Sequence, residues 1–176
     1  KKESSNLIDV WIISKIENLT KNISESLKNY NTIKVCSDIR EFIDDLSTWY
    51  IRRSRDRFNE EDAEAKSTLN YVLEKLALVI SPIMPFSAEN IWKSLGNKNS
   101  VHLENWPEYH EKLINLQLES EMKKIREIVS VSLRQRDIKQ LALKQPLNQI
   151  KIFLKEIENL KKYSDILKEE LNVKKI

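Results

Sequence analysis

At 176 residues the chain has room for one domain of ordinary size with a small appendage, and enough length to bury a substantial core. One glycine and four prolines exclude loop-rich, sandwich and Rossmann-type folds, whose turns and phosphate-cradling loops need glycine, and they favour long helices. Charged residues make up 32% of the chain with the signs mixed and a formal net charge of +3, so any nucleic-acid surface has to be local.

From about Ser5 to Tyr30 the apolar residues Ile8, Ile12, Ile16, Leu19, Ile23 and Leu27 recur at three- and four-residue steps, which predicts a long amphipathic helix. Asn31-Thr32 interrupts the pattern, and Thr32 can cap a second, antiparallel helix from about Ile33 to Phe58. Cys36 falls on the face of this helix predicted to be buried. Around a turn centred near residue 31, residues of the two helices face each other when their numbers sum to roughly 62, which sets Asp9 opposite Arg53. Asp9 lies on the apolar stripe, where a lone carboxylate is costly, so an Asp9–Arg53 pair is the structural reading of that arginine. The second helix ends in Trp49-Tyr50-Ile51-Arg52-Arg53-Ser54-Arg55-Asp56-Arg57-Phe58, a cluster of four arginines beside aromatic rings. Trp49 sits on the stripe. Arg57, one turn beyond Arg53, and Trp11 and Lys15, on the flank of the first helix, are expected to be freer to meet a ligand.

An acidic link at 59–62 suits the start of a third helix running to about residue 80, which Ser81-Pro82 and Met84-Pro85 must stop. Ser87 is the predicted cap of a short fourth helix, Ala88 to Leu95, closed by Gly96. A fifth long helix is predicted from about Glu111 to Arg134 or Arg136. Beyond it, Ile150 to Leu154 is strand-like, Glu156 to Leu171 helical, and Val173 to Ile176 a second strand, together a β-α-β-like segment. The expected architecture is an all-α antiparallel helix bundle over 1–137 with a small α/β appendage over 138–176.

One glycine leaves no phosphate loop, and no serine-centred nucleophile motif is present, so no catalytic residue is assigned. A single cysteine builds neither a disulfide nor a thiolate cluster, which points to a cytoplasmic chain with no zinc site. His102 and His110, with Glu104 and Glu108 nearby, lack a second converging cluster, and solvated or capping roles are favoured over a metal. No apolar run approaches the about 18 residues of a membrane span. The start at Lys1-Lys2-Glu3, without methionine, reads as a piece of something longer. What remains is basic and aromatic: Trp11, Lys15, Trp49, Arg52, Arg53, Arg55, Arg57, Arg134 and Arg136. Stacking rings beside forked guanidinium groups are what single-stranded RNA loops require.

Several blocks carry a resemblance. Asp9-Val10-Trp11-Ile12-Ile13-Ser14-Lys15, the Trp49 to Phe58 run, Pro82-Ile83-Met84-Pro85-Phe86-Ser87-Ala88-Glu89-Asn90-Ile91-Trp92, Ser100-Val101-His102-Leu103 with Trp106-Pro107, and Gln145-Pro146-Leu147 resemble, in the same order, the helical anticodon-binding domain of class I isoleucyl-tRNA synthetases. The resemblance covers nearly the whole chain, and the Trp-Tyr-Ile-Arg-Arg-Ser-Arg run favours the isoleucine enzyme over its valyl and leucyl relatives, which are the nearer alternative. It implies a segment that binds the anticodon stem-loop of tRNA(Ile) and adjoins the catalytic domain of the same chain. The full-length enzyme would ligate isoleucine to tRNA with ATP and magnesium; this segment lacks the ATP motifs and the editing domain, needs no cofactor, and is expected to be inactive alone. The resemblance implies tRNA contacts at Trp11 by stacking and at Lys15 and Arg57 by charge, with Trp49, Arg52 and Arg53 in the same patch. The rival from another class is a helical protein-interaction scaffold whose arginines serve acidic partners or internal ion pairs.

Overall fold

A computed structural model of the protein describes residues 6–152 and 160–176. In chain order it contains α1 (Leu7–Lys28), α2 (Thr32–Asp44), a π-helical segment (Asp45–Ile51), α3 (Arg55–Asn59), α4 (Ala63–Ile80), α5 (Pro85–Ser94), α6 (Leu116–Ile138), β1 (Leu147–Gln149), α7 (Ser164–Leu171) and β2 (Val173–Lys175), with 3-10 turns at 101–103, 111–113 and 160–163. The fold is all-α with a two-stranded parallel appendage near the C-terminal end, as the patterning predicts. The residues form two compact units, 1–116 and 117–176, so α6 opens the second unit where the sequence reading ends the bundle at 137. Among the described residues no helix is long and apolar enough to cross a membrane.

In the first unit α1 is the enclosed helix, contacting α2, α4 and the turn at 111–113. Trp11, Ile12, Ile16, Leu19 and Ile23 are buried, and so are the polar Asp9, Ser14, Glu17 and Thr20. A helix covered on nearly every side cannot be read by an apolar stripe alone. The starts of α1, α2 and α4 are capped by a side-chain oxygen: Asn6 accepts from the Ile8 amide at 3.0 Å, Asn31 from Lys34 at 3.1 Å, and Asp62 from Glu64 at 2.8 Å and Ala65 at 3.2 Å. The cap of α2 is therefore Asn31 and not Thr32. Helix α5 begins at Pro85 in its first turn, three residues before the predicted start, because proline needs no amide partner there. Gly96, at φ +89°, follows the last turn of α5 in the left-handed region that glycine adopts without strain. Cys36 is exposed, since α2 buries Val35, Ile39 and Phe42 instead.

The largest departure is in the second predicted helix, which is not continuous to Phe58. It widens into the π-helical segment at 45–51 and restarts as α3. Ser47 and Thr48 donate back to the carbonyls of Ile43 and Asp44, both at 2.7 Å, and the Arg52 Nε donates to the Thr48 carbonyl at 2.7 Å. Side chains that occupy the carbonyls of the preceding turn loosen the α-ladder and favour the wider winding.

In the second unit β1 and β2 pair in parallel, Leu147 opposite Val173 and Gln149 opposite Lys175. The first strand lies three residues before the predicted one; Phe153, Leu154 and the predicted helix start at Glu156 lie outside the described residues. Asn172, at φ 48°, ends α7 in the left-handed conformation and turns the chain into β2.

Candidate nucleic-acid interface

The start of α1 and the arginine cluster meet through one buried carboxylate. Asp9, fully buried in the first turn of α1, receives both ends of the Arg57 guanidinium, at 2.8 and 2.9 Å. Arg57 Nε donates to Asp62 at 2.7 Å, and the Tyr50 hydroxyl donates to Asp9 at 3.1 Å. One guanidinium thus ties α1, α3 and the cap of α4 together with a fork geometry that lysine could not reproduce. Its hydrogen bonds to Asp9 push Arg57 above its ordinary value. Burial, and then the Asp9 charge, push the Tyr50 phenol up, and the Arg57 hydrogen bond holds Asp62 down.

The bidentate partner of Asp9 is therefore Arg57, where the hairpin register points to Arg53. The π turns advance less along the axis per residue, and helical side chains lean toward the N-terminus, so a residue four places later reaches the level of Asp9. Arg57 is accordingly not the loose cation the sequence suggests. Three of its N–H groups are used in these bonds, out of the five a guanidinium carries.

Trp11, expected on an open flank, is 1% exposed and packs in the core, so it presents no ring face to a base. Lys15 pairs with the buried Asp45 at 3.0 Å and with Glu41 at 3.4 Å. Trp49 is buried at its ring, and the Arg52 guanidinium lies 5.9 Å from the ring centroid while its Nε holds the Thr48 carbonyl. Arg53 is half-buried; Arg52 and Arg55 are exposed. The structure thus brings Trp49, Arg52, Arg53, Arg55 and Arg57 onto one wound segment anchored to α1, with Arg52 and Arg55 outermost.

Sequence reasoning missed a second buried cluster. Glu17, fully buried on α1, accepts from Lys75 and from the Tyr71 hydroxyl of α4, and from the His110 amide at 2.6 Å. Burial opposes its charge, but the bonds from Lys75, Tyr71 and His110 outweigh that and hold the carboxyl below its usual range. The available signal was the scarcity of charge on α1: between Trp11 and Thr20 only Lys15 and Glu17 ionise. His110 is thus a backbone donor, and His102 is exposed in the 101–103 turn; among the described residues no group of three His, Cys, Asp or Glu side chains is placed to hold a metal. In the second unit Arg136, grouped from sequence with the exposed arginines, is only 5% exposed and donates to the carbonyls of Leu171, Ala142 and Gln145 at 3.2, 2.6 and 2.6 Å.

Residues 9–154 match the family described as the anticodon-binding domain of tRNA ligase, and the chain belongs to that family. Its relatives include isoleucine–tRNA ligases. Those of Clostridium kluyveri and Clostridium acetobutylicum are 40% and 38% identical over 98% of this chain and 18% of their own length. That of Nocardia farcinica is 36% identical over 99% of this chain and 17% of its own. The chain spans less than a fifth of the length of these curated relatives.

Proposed function

We propose that this chain is the anticodon-binding part of an isoleucine–tRNA ligase and that its first unit grips the anticodon loop of tRNA(Ile). The single observation that carries this reading is the family match over 9–154, a span containing the whole arginine segment and its anchor on α1. Arg52 and Arg55 are the outermost cations and meet phosphates or base edges. Arg57, pinned by Asp9 and Asp62, and Lys15 lend partial charge at the same end of the hairpin. Trp49 and Arg53 support the segment, and Trp11 acts from within the core. In the full-length enzyme, ATP and magnesium serve isoleucine activation in the catalytic domain, and anticodon binding here orients the acceptor end toward that domain.

The test uses the full-length enzyme with Arg52→Ala and Arg55→Ala together. Aminoacylation at subsaturating tRNA(Ile) is expected to fall roughly 10- to 100-fold, the size of two lost charge-assisted contacts. Isoleucine-dependent ATP–pyrophosphate exchange, which needs no tRNA, is expected to be unchanged. Unaltered aminoacylation by the double variant would overturn the assignment.

A further inference from the structure

The segment between α5 and α6 is bound along one face of α1. Ser14, Glu17, Lys21 and Ser24, spaced at three- and four-residue steps, hold it in turn. Ser14 accepts from the Asn115 amide at 2.7 Å, Glu17 accepts from the His110 amide, Lys21 pairs with Glu111 at 3.0 Å, and Ser24 accepts from the Trp106 indole at 2.8 Å. The segment therefore runs antiparallel to α1 and reaches the end of that helix away from the arginine cluster. Ser24 lies about 22 Å along the axis from Asp9, at about 1.5 Å per residue.

Two aromatic rings are locked there and still stand open, Trp106 at 40% and Tyr109 at 41% exposed. Ser24, which fixes the Trp106 indole, is itself held by the Thr20 carbonyl at 2.7 Å, and the Lys21 ammonium lies 5.6 Å from the Tyr109 ring centroid. With Leu27 and the buried Pro107 the two rings line an open groove of about 530 Å³. Between Lys98 and Lys112 the segment carries Glu104, Glu108 and Glu111 and no lysine or arginine. Glu111 is matched by Lys21, whereas Glu104 and Glu108 are exposed, and among the described residues neither pairs with a cation. Lys28 lines the groove from α1.

Proline rings pack flat against aromatic faces, and a polyproline II segment loses little freedom on docking because its backbone is already extended. It lacks amide donors and presents bare carbonyls, to which the Lys28 ammonium and the Tyr109 hydroxyl can donate. The unmatched carboxylates of Glu104 and Glu108 call for a basic side chain beside the prolines, and they would repel the phosphates that accompany a stacked base. We propose that this groove is a docking site for an extended, proline-containing peptide with a flanking arginine or lysine, carried by a partner protein. The site stands apart from the arginine segment and does not depend on the reading that the chain binds tRNA.

The experiment titrates full-length protein into a fluorescently labelled synthetic peptide, an arginine followed by repeating proline-leucine-proline, and reads polarisation. Saturable binding is expected, weakened roughly 10-fold when the prolines are replaced by alanine or the arginine by glutamate. Trp106→Leu is expected to weaken binding by about the same factor, as loss of an aromatic anchor does. The E104Q/E108Q variant alters only exposed carboxylates and leaves the packing alone; it is expected to bind roughly 3- to 10-fold more weakly and with less dependence on salt, while aminoacylation of tRNA(Ile) is unchanged. Absence of saturable binding, equal binding of the alanine peptide, or unchanged affinity in E104Q/E108Q would overturn the proposal. Displacement of the peptide by an isolated anticodon stem-loop would overturn it too, because the groove would then belong to RNA.

Discussion

Glu17 has both carboxylate oxygens engaged inside the first unit, and that makes it a measurable contributor to stability. Its carboxyl is held below the ordinary 4.5, so the unfolded chain takes up its proton first as pH falls. The stabilisation is complete above the unfolded value and is lost as pH drops through the lower, folded one. Glu17→Gln is expected to cost about 3–5 kcal/mol at pH 7, because Lys75 is left charged and buried. The cost should shrink below pH 4.5, and adding Lys75→Met should recover most of it. Urea unfolding of the wild type and both variants at pH 7 and pH 4 measures each effect. Asp9 follows the same logic at the other end of α1. Its position on the stripe declares that it needs a cation, and position alone left the choice between Arg53 and Arg57 to the winding of the helix opposite.

At the scale of elements, α1, α4 and α6 are legible because apolar periodicity reports a helix wherever one side stays dry. The α1–α2 hairpin is legible for the same reason, with Asn31 at its turn. The π-helical segment is not: Asp45 to Ile51 has ordinary helical residues, and its widening goes with back-bonding by Ser47 and Thr48 and with the pairing of the buried Asp45 to the half-buried Lys15. Asp62 joins two elements, capping α4 while holding Arg57. Asp62→Ala removes both functions and is expected to lower the melting temperature, whereas Asp62→Asn keeps a good cap and is expected to lower it less. Equal losses from the two, measured by thermal unfolding, would place the contribution in the ion pair.

At the scale of the whole molecule, the net charge of +3 conceals a division that only the unit boundary reveals: residues 1–116 hold 16 basic and 18 acidic side chains, and residues 117–176 hold 14 basic and 9 acidic. Arg136 is central to the second unit, a buried cation whose two terminal nitrogens donate to three carbonyls from the 142–145 loop and the end of α7 while its buried Nε has no partner. Replacing it by Met strands those acceptors and is expected to destabilise this unit by about 2–4 kcal/mol. Hydrogen exchange should then show amides of β1 and β2 losing protection while α1 and α4 keep theirs; matched losses in both units would mean that the two unfold as one.

By itself the sequence determined the helical class, the hairpin, the small β-α-β segment, the absence of a phosphate loop and, through its ordered blocks, the family resemblance, because all of these depend on local composition and spacing. Only the tertiary structure decided that Trp11 is core, that Arg57 rather than Arg53 grips Asp9 in a fork, that Arg136 is a buried brace, and that Trp106 and Tyr109 stand open on a segment bound along α1. The physical reason is that periodicity tells how a residue faces its own helix. Which neighbour covers it is set by the winding and packing of residues far away in the chain.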